Sequence, residues 1–315
     1  MLTKRGICIR LFDLHCDTLT CALDSRYSFL ANDGAVDSRR GAAFSRWIQA
    51  FAVFLPDNLR VEGARERCVA LLDAATRFER VSAGRFRIVR SLDDFAREDR
   101  VCHALLTGEN IGALGDVSYL ECLRARHMRA ATITWNGDNP WGSGCFGSAH
   151  GLTTSGMRAL ERMEQLGMAV DVSHLNVAGF WDVARLSKRP FMASHSCSAA
   201  ITPHPRNLTD DQFRAVRDSG GIVGINLYHS HLGISPQGDY FAAFERHLTH
   251  LLSLGGENTV CIGTDFDGME RPPSFGGMSV LLRLHQYLLS CGMDAALLDK
   301  VFFTNAYRFC LSAMS

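Results

Sequence analysis

Ile7-Cys8-Ile9-Arg10-Leu11-Phe12-Asp13-Leu14 runs directly into His15-Cys16-Asp17. The first eight residues are a short β-rich run. On a strand the side chains alternate between faces, so His15 and Asp17, two apart, can offer an imidazole nitrogen and a carboxylate oxygen to one cation. The tripeptide gains weight because later runs end in the same kind of residue. Working outward, further strands are predicted at Trp47 to Leu55, Val101 to Glu109, Met128 to Trp135, Met168 to His174, Pro190 to His195, Gly221 to Leu227 and Thr259 to Asp265. Between them, Val61 to Ala83, Gly156 to Leu166, Val177 to Leu186, Asp210 to Asp218, Phe241 to Leu254 and Met278 to Cys291 carry apolar residues three and four apart, as amphipathic helices require. Strand alternating with helix implies parallel strands with right-handed crossovers. Eight such units predict an α/β fold, a (β/α)8 TIM barrel, with its active site at the C-terminal ends of the strands. The competing open doubly wound sheet lacks its phosphate loop, because no GxGxxG follows the first strand.

Composition narrows the function. With 315 residues and 47% hydrophobic side chains the chain can bury a large core, and it reads as a single barrel domain over 1–315. Ser143 to Gly156, rich in Gly and Ser, reads as a long loop after the fourth strand. Lys plus Arg equals Asp plus Glu at 33 each, so no global field draws the chain to nucleic acid or an anionic membrane. The partner is therefore expected to be a small molecule recognised locally. The 11 cysteines are odd in number, scattered and free of any CxxC pair, which suits a reducing cytoplasm. Lys4 and Arg5 are followed too soon by Arg10 and Asp13 for a signal-peptide core, and no apolar run reaches the length of a membrane span. A soluble, unprocessed protein is the expectation.

His15 and Asp17 end the first strand, Glu109 the third, His174 the fifth, His195 the sixth and Asp265 the eighth. Any one could be a hydrogen-bonded strand end. Together, three imidazoles and three carboxylates on one rim are costly to assemble without a cation, because desolvation and like charges both oppose it. Nitrogen and carboxylate donors without a thiolate suit zinc or a similar divalent ion. They are too many for one tetrahedral site, so two metals sharing a carboxylate are expected, with Glu109 as the natural bridge.

Phe12-Asp13-Leu14-His15-Cys16-Asp17, Leu106-Thr107-Gly108-Glu109, Val170-Asp171-Val172-Ser173-His174, Ala193-Ser194-His195-Ser196, Pro205-Arg206-Asn207 and Gly263-Thr264-Asp265-Phe266-Asp267-Gly268, in this order, resemble the membrane (renal-type) dipeptidase family of zinc peptidases across nearly the whole chain. The resemblance implies two zinc ions, one held by His15 and Asp17, the other by His174 and His195, with Glu109 bridging. It implies a zinc-dependent dipeptidase that cleaves dipeptides through a hydroxide shared by the metals, with Asp265 moving protons. Arg206 would bind the free C-terminal carboxylate, a role its planar fork suits; on residue type alone it reads as an exposed loop residue. A homodimer is a further implication.

One position departs from the family. Animal members place a histidine after the Thr of strand 4, whereas this chain reads Thr134-Trp135-Asn136, a form that resembles some bacterial members. Indole donates one hydrogen bond but cannot be cationic. Trp135, Asn136 and the loop residue His150 are therefore expected to line the substrate. Asp13 and Asp171 are expected to orient neighbouring ligands, Asp267 to fix the turn before Gly268, Cys16 and Cys197 to pack, and His229 and His231 to lie in a loop or at the substrate rim. Two readings compete with the peptidase. One is a related barrel metallohydrolase acting on another amide or a lactone, although the carboxylated lysine such enzymes use has no counterpart at the end of strand 4. The other is a catalytically weakened binding homologue, suggested by Trp135.

Overall fold

Eight parallel strands close on themselves in chain order: β1 (Arg10–Asp13), β2 (Arg46–Phe54), β3 (Cys102–Glu109), β4 (Met128–Thr132), β5 (Ala169–Asp171), β6 (Met192–Ala193), β7 (Ile222–Ile225) and β8 (Val260–Ile262). Closure is made by β8 returning to β1, with Asp13 opposite Ile262. This is the predicted (β/α)8 barrel, seen in a computed structural model that describes residues 8–23 and 26–314. Lys4, Arg5 and Ile7 lie outside the described residues.

Period-two alternation sorts the strand side chains into two cores. Phe12, Ile48, Leu105, Ala130, Ala169, Met192, Ile222 and Cys261, one from each strand, share a cluster with Phe303, Phe309 and Cys310 of the C-terminal segment. That cluster fills the barrel interior, and the C-terminal segment (Lys300–Thr304 and the helix Asn305–Ala313) plugs its floor. Leu11, Phe51, Val53, Leu106, Val170 and Ile225 belong to the other core, packed with helix residues such as Leu71, Phe180, Val216 and Leu248. Burial at both faces explains why the strands read as apolar runs.

The helices form where the 3.6-residue period lies, and their ends are set by caps. Thr209 and Gln212 form a capping box that opens the helix Asp210–Asp218. Thr153 accepts from the Gly156 amide, so the helix expected from Gly156 begins at Thr154 and ends at Gln165. The helix Val61–Val81 stops two residues before Ala83, because the chain enters the left-handed region there, with φ 50° at Ala83 and 76° at Gly84. Most strands are also shorter than their apolar runs. β4 ends at Thr132 instead of Trp135, β5 at Asp171 instead of His174, and β8 at Ile262 instead of Asp265. Beyond these points regular pairing gives way to single backbone bonds, such as the Asp265 amide to the His15 carbonyl (3.1 Å) and the Val172 amide to the Met192 carbonyl (2.7 Å), as the chain turns over the barrel mouth. Elements that were not expected include the short helices Thr18–Cys21 and Ser38–Gly41, the strand Phe86–Ile88 beside the start of β3, the helix Tyr119–Ala125, the hairpin Asp138–Asn139 with Gly142–Ser143 that opens the long loop, and the C-terminal helices Ala295–Asp299 and Asn305–Ala313.

Candidate metal centre

The six residues at the strand ends converge at the C-terminal mouth. His15 Nε2 lies 3.3 Å from Asp17 Oδ2, 3.4 Å from Glu109 Oε2 and 3.9 Å from Asp265 Oδ1. On the far side His174 Nε2 is 2.8 Å from Glu109 Oε1 and 2.9 Å from His195 Nε2. Each oxygen of the Glu109 carboxylate therefore faces a different imidazole. The rings of His15 and His195 lie 3.9 Å apart between centroids.

The backbone reaches this geometry through strain and close packing. His174 and Asp265 have φ of 74° and 63°, in the left-handed region sparsely used by residues with a Cβ. Gly268 follows because a Cβ there would sit 2.1 Å from Asp17 Oδ2 and 2.7 Å from Asp265 Oδ1. Gly268→Ala is accordingly expected to cost about 1–3 kcal/mol through overpacking. Thermal denaturation checks this; a variant melting with the wild type would show that the turn yields freely.

A layer of carboxylates and amides stitches the strand ends behind the cluster. Asp13 accepts from the Thr264 amide (2.8 Å) and hydroxyl (2.6 Å) and from Gln49 Nε2 (2.9 Å), tying β1 to β8 and β2. Asp171 Oδ1 accepts from the amides of Ser173 (2.9 Å) and Ser194 (3.0 Å), tying β5 to the residue before His195. Asp267 accepts from Thr18 Oγ1 (2.7 Å) and the Ala35 amide (2.6 Å), which anchors the turn before Gly268. Sequence reasoning missed Asn226, which donates to Asp265 Oδ2 at 3.0 Å. The signal was available, since Asn226 is a polar residue just past the end of β7, as the cluster residues are on their strands. Ser194, whose Oγ is 2.7 Å from His195 Nδ1, was also missed in this role.

The electrostatics are those of an electron-pair-rich pocket. Burial, then the charges of Arg206 and His15, hold His174 well below the ordinary histidine range; burial, then His15 and Arg206, do the same for His195. Both rings are therefore neutral near pH 7. Glu109 is pushed up to about 7 by burial and by the charge of Asp17, and Asp265 to about 6 chiefly by burial. For His15, burial favours the neutral ring, but Glu109 and Asp17 outweigh it and hold a proton there.

The donor set fits metal ions. His15 Nε2 and Asp17 Oδ1 are buried without a hydrogen-bond partner, a deficit a cation removes. Single donor atoms of His15, Glu109 and His195, and of His15, Asp17 and Asp265, lie within 4.8 Å of one another in each group. No thiolate competes: burial keeps Cys16 and Cys197 protonated, the latter pushed up to about 12.

The remaining expected site residues divide into three places. Arg206 is buried, which corrects its reading as an exposed loop residue; the loop after β6 folds back so that its Nη2 donates to the His195 carbonyl (3.3 Å). Trp135 is half-buried, with its ring edge-on to Phe54 at 4.9 Å and 6.3 Å from the His174 ring, and Asn136 Oδ1 meets His174 Nδ1 at 3.0 Å. His150 is exposed, its ring on Ser143 Oγ (2.9 Å) and the Gly151 carbonyl (3.0 Å), away from the cluster. His231 is buried against the His204 ring at 4.6 Å, while His229 is half-buried.

Comparison with known proteins identifies the family. Residues 7–313 match the family described as membrane dipeptidase, peptidase family M19. A metallopeptidase from Rhodobacter sphaeroides, solved with a phosphinate mimic of the dipeptide L-Ala-D-Ala, superposes with a TM-score of 0.89 at 27% identity, covering 97% of this chain and 99% of that one. The family M19 dipeptidase AC superposes at 0.90 with 28% identity over 98% and 99%. An uncharacterized protein from the pqqA 5′ region of Klebsiella pneumoniae is 37% identical over 240 residues, 72% of this chain and 89% of that protein. The chain belongs to the membrane dipeptidase family, peptidase family M19, and is a metallo-dipeptidase, a hydrolase of peptide bonds.

Proposed function

We propose that this single barrel domain hydrolyses dipeptides bearing a free C-terminal carboxylate, using two zinc ions, one held by His15, Asp17 and Glu109 and the other by Glu109, His174 and His195. The observation that carries this reading is the Glu109 carboxylate, whose Oε2 faces His15 and Oε1 faces His174. When bound, the two ions would supply Lewis acidity and a water that ionises near neutral pH. The chain's own residues do the rest. Asn226 holds Asp265 Oδ2, which leaves Oδ1 facing the centre as the atom that takes a proton from the attacking water and returns it to the departing amine. The Arg206 guanidinium, with one of its N–H groups on the His195 carbonyl, keeps other donors for the substrate carboxylate. Trp135 walls the substrate beside His174, and Asn136 adjoins it; His150 stands further out on its loop. The relative solved with an L-Ala-D-Ala mimic supports the substrate class. The cysteines, all free, support a cytoplasmic location, and among the described residues no helix is long and apolar enough to cross a membrane.

The test is length selectivity. Zinc-loaded protein is expected to cleave L-Ala-D-Ala or another free dipeptide and to leave the C-terminally amidated form intact. Arg206→Ala is expected to lower kcat/KM by about 2–4 kcal/mol, the cost of truncating one member of a buried charge pair. Equal turnover of free and amidated dipeptides in a steady-state assay would overturn the assignment of Arg206. Zinc binding without cleavage of any dipeptide would favour the binding homologue.

A further inference from the structure

We infer that Asn136 is a positioning residue for His174: its side-chain carbonyl fixes the imidazole as the tautomer protonated at Nδ1 and thereby leaves the Nε2 lone pair for the metal centre. The inference deepens the zinc peptidase reading and rests on it for the use made of Nε2. Asn136 Oδ1 lies 3.0 Å from His174 Nδ1, and an amide oxygen can only accept. The Cys145 thiol donates to the same Oδ1 at 3.7 Å, so two donors orient the amide with its oxygen toward the histidine. If the amide were turned, its NH2 would force the proton onto Nε2, which would then donate to Glu109 Oε1 at 2.8 Å and be closed to a cation.

The ionised Glu109 carboxylate, whose Oε1 lies 2.8 Å from Nε2, pulls the proton the other way, and Asn136 is the contact that opposes it. His195 Nδ1 meets the Ser194 hydroxyl, which can donate or accept and so is compatible with either tautomer. The two Nε2 atoms face each other at 2.9 Å, a separation that one N–H would satisfy and that two lone pairs tolerate only when a cation stands by. The tautomer of His174 therefore governs whether both rings present lone pairs together.

Asn136 is itself held. Its carbonyl accepts from the Phe146 amide (2.9 Å), and the Cys145 amide donates to the His174 carbonyl (2.8 Å), so one loop clasps both backbones. Gly144 permits this approach, because a Cβ there would lie 2.1 Å from the Trp135 carbonyl oxygen. A histidine held at φ 74° needs such a clasp, and the amide completes it from the side-chain end. Outer partners of this kind typically change metal affinity 10- to 100-fold.

The experiment reads the proton directly. Protein labelled with 15N-histidine, stripped of metal with a chelator at pH 8, is expected to show His174 protonated at Nδ1, and Asn136→Leu is expected to move that proton wholly or partly to Nε2. With zinc alone as the probe, Asn136→Leu should bind about 10- to 100-fold more weakly than wild type, whereas Asn136→Asp, which keeps the acceptor, should bind at least as tightly as wild type. Wild-type His174 carrying its proton on Nε2 would overturn the proposal. So would Asn136→Leu with unchanged zinc affinity. Should Asn136→Leu not fold, the wild-type spectrum and Asn136→Asp still decide. Should the protein bind no zinc, the zinc peptidase reading fails while the metal-free spectrum still tests the tautomer lock.

Discussion

Glu109→Gln is expected to abolish turnover while raising the melting temperature of the metal-free protein. The carboxylate stands buried at the end of β3, and burial together with the charge of Asp17 pushes it from its ordinary 4.5 up to about 7. A raised folded-state value means that the unfolded chain releases this proton first. Between about pH 4.5 and 7 the unfolded state therefore binds fewer protons, and the metal-free fold loses stability as pH rises. Above pH 7 the whole deficit is present. Glutamine carries no charge, so at pH 8 with chelator the variant should melt a few degrees higher, each kcal/mol being worth roughly 2–4 °C in a chain of this order of size. With zinc the sign reverses. The amide offers no anion to either half of the centre, and loss of several kcal/mol of charge stabilisation lowers kcat/KM by about 10³ or more. Calorimetry with and without zinc, joined to elemental analysis, reads both effects. Full zinc occupancy with wild-type turnover would remove Glu109 from the bridge, and a lower metal-free melting temperature would show that its hydrogen bonds outweigh its burial.

The opposition of these two effects explains how much of the site was legible beforehand. A buried cluster of carboxylates and imidazoles destabilises the fold that carries it, so such residues ending otherwise apolar runs stand out. Glu109, His174, His195 and Asp265 were found that way, and all eight runs are strands. The geometry was less legible. Phe12 and Leu14 face the barrel interior, so strict alternation would turn His15 outward; Ala169 and Met192 likewise leave His174 and His195 out of phase. The regular strands end at Asp13, Asp171 and Ala193, and past them the chain is held only by scattered backbone bonds, so the departing chain, not the pleat, turns the three rings inward. Period two carries no information about that departure. Nor does residue type reveal that the loop bearing Arg206 folds back onto the His195 carbonyl, a contact 11 residues apart in the chain. Asn226 was overlooked because an amide signals no charge, although its Nδ2 holds the one carboxylate proposed to move a proton.

Asp265→Asn is expected to cut kcat by about 10² to 10⁴, the range for losing a general acid–base group, with the metals largely retained. Three observations separate Asp265 from the other carboxylates. Its Oδ2 is engaged by Asn226, its Oδ1 lies 3.9 Å from His15 Nε2 where Asp17 and Glu109 stand closer, and its φ of 63° holds it at the rim in a conformation few aspartates adopt. Burial pushes it up to about 6, so near neutral pH it can give up and regain a proton at little cost. Asparagine keeps the size and a hydrogen-bonding group but cannot carry the proton. A residue serving only the turn before Phe266-Asp267-Gly268 behaves differently: its replacement should lower the melting temperature while the folded fraction turns over normally, and Asp267, which binds Thr18 and the Ala35 amide, already performs that structural task. Measuring kcat, zinc content and melting temperature on a single Asp265→Asn preparation distinguishes the two. Low kcat with two zinc equivalents supports the proton shuttle, near-normal kcat ends it, and loss of zinc in step with activity would place Asp265 among the ligands.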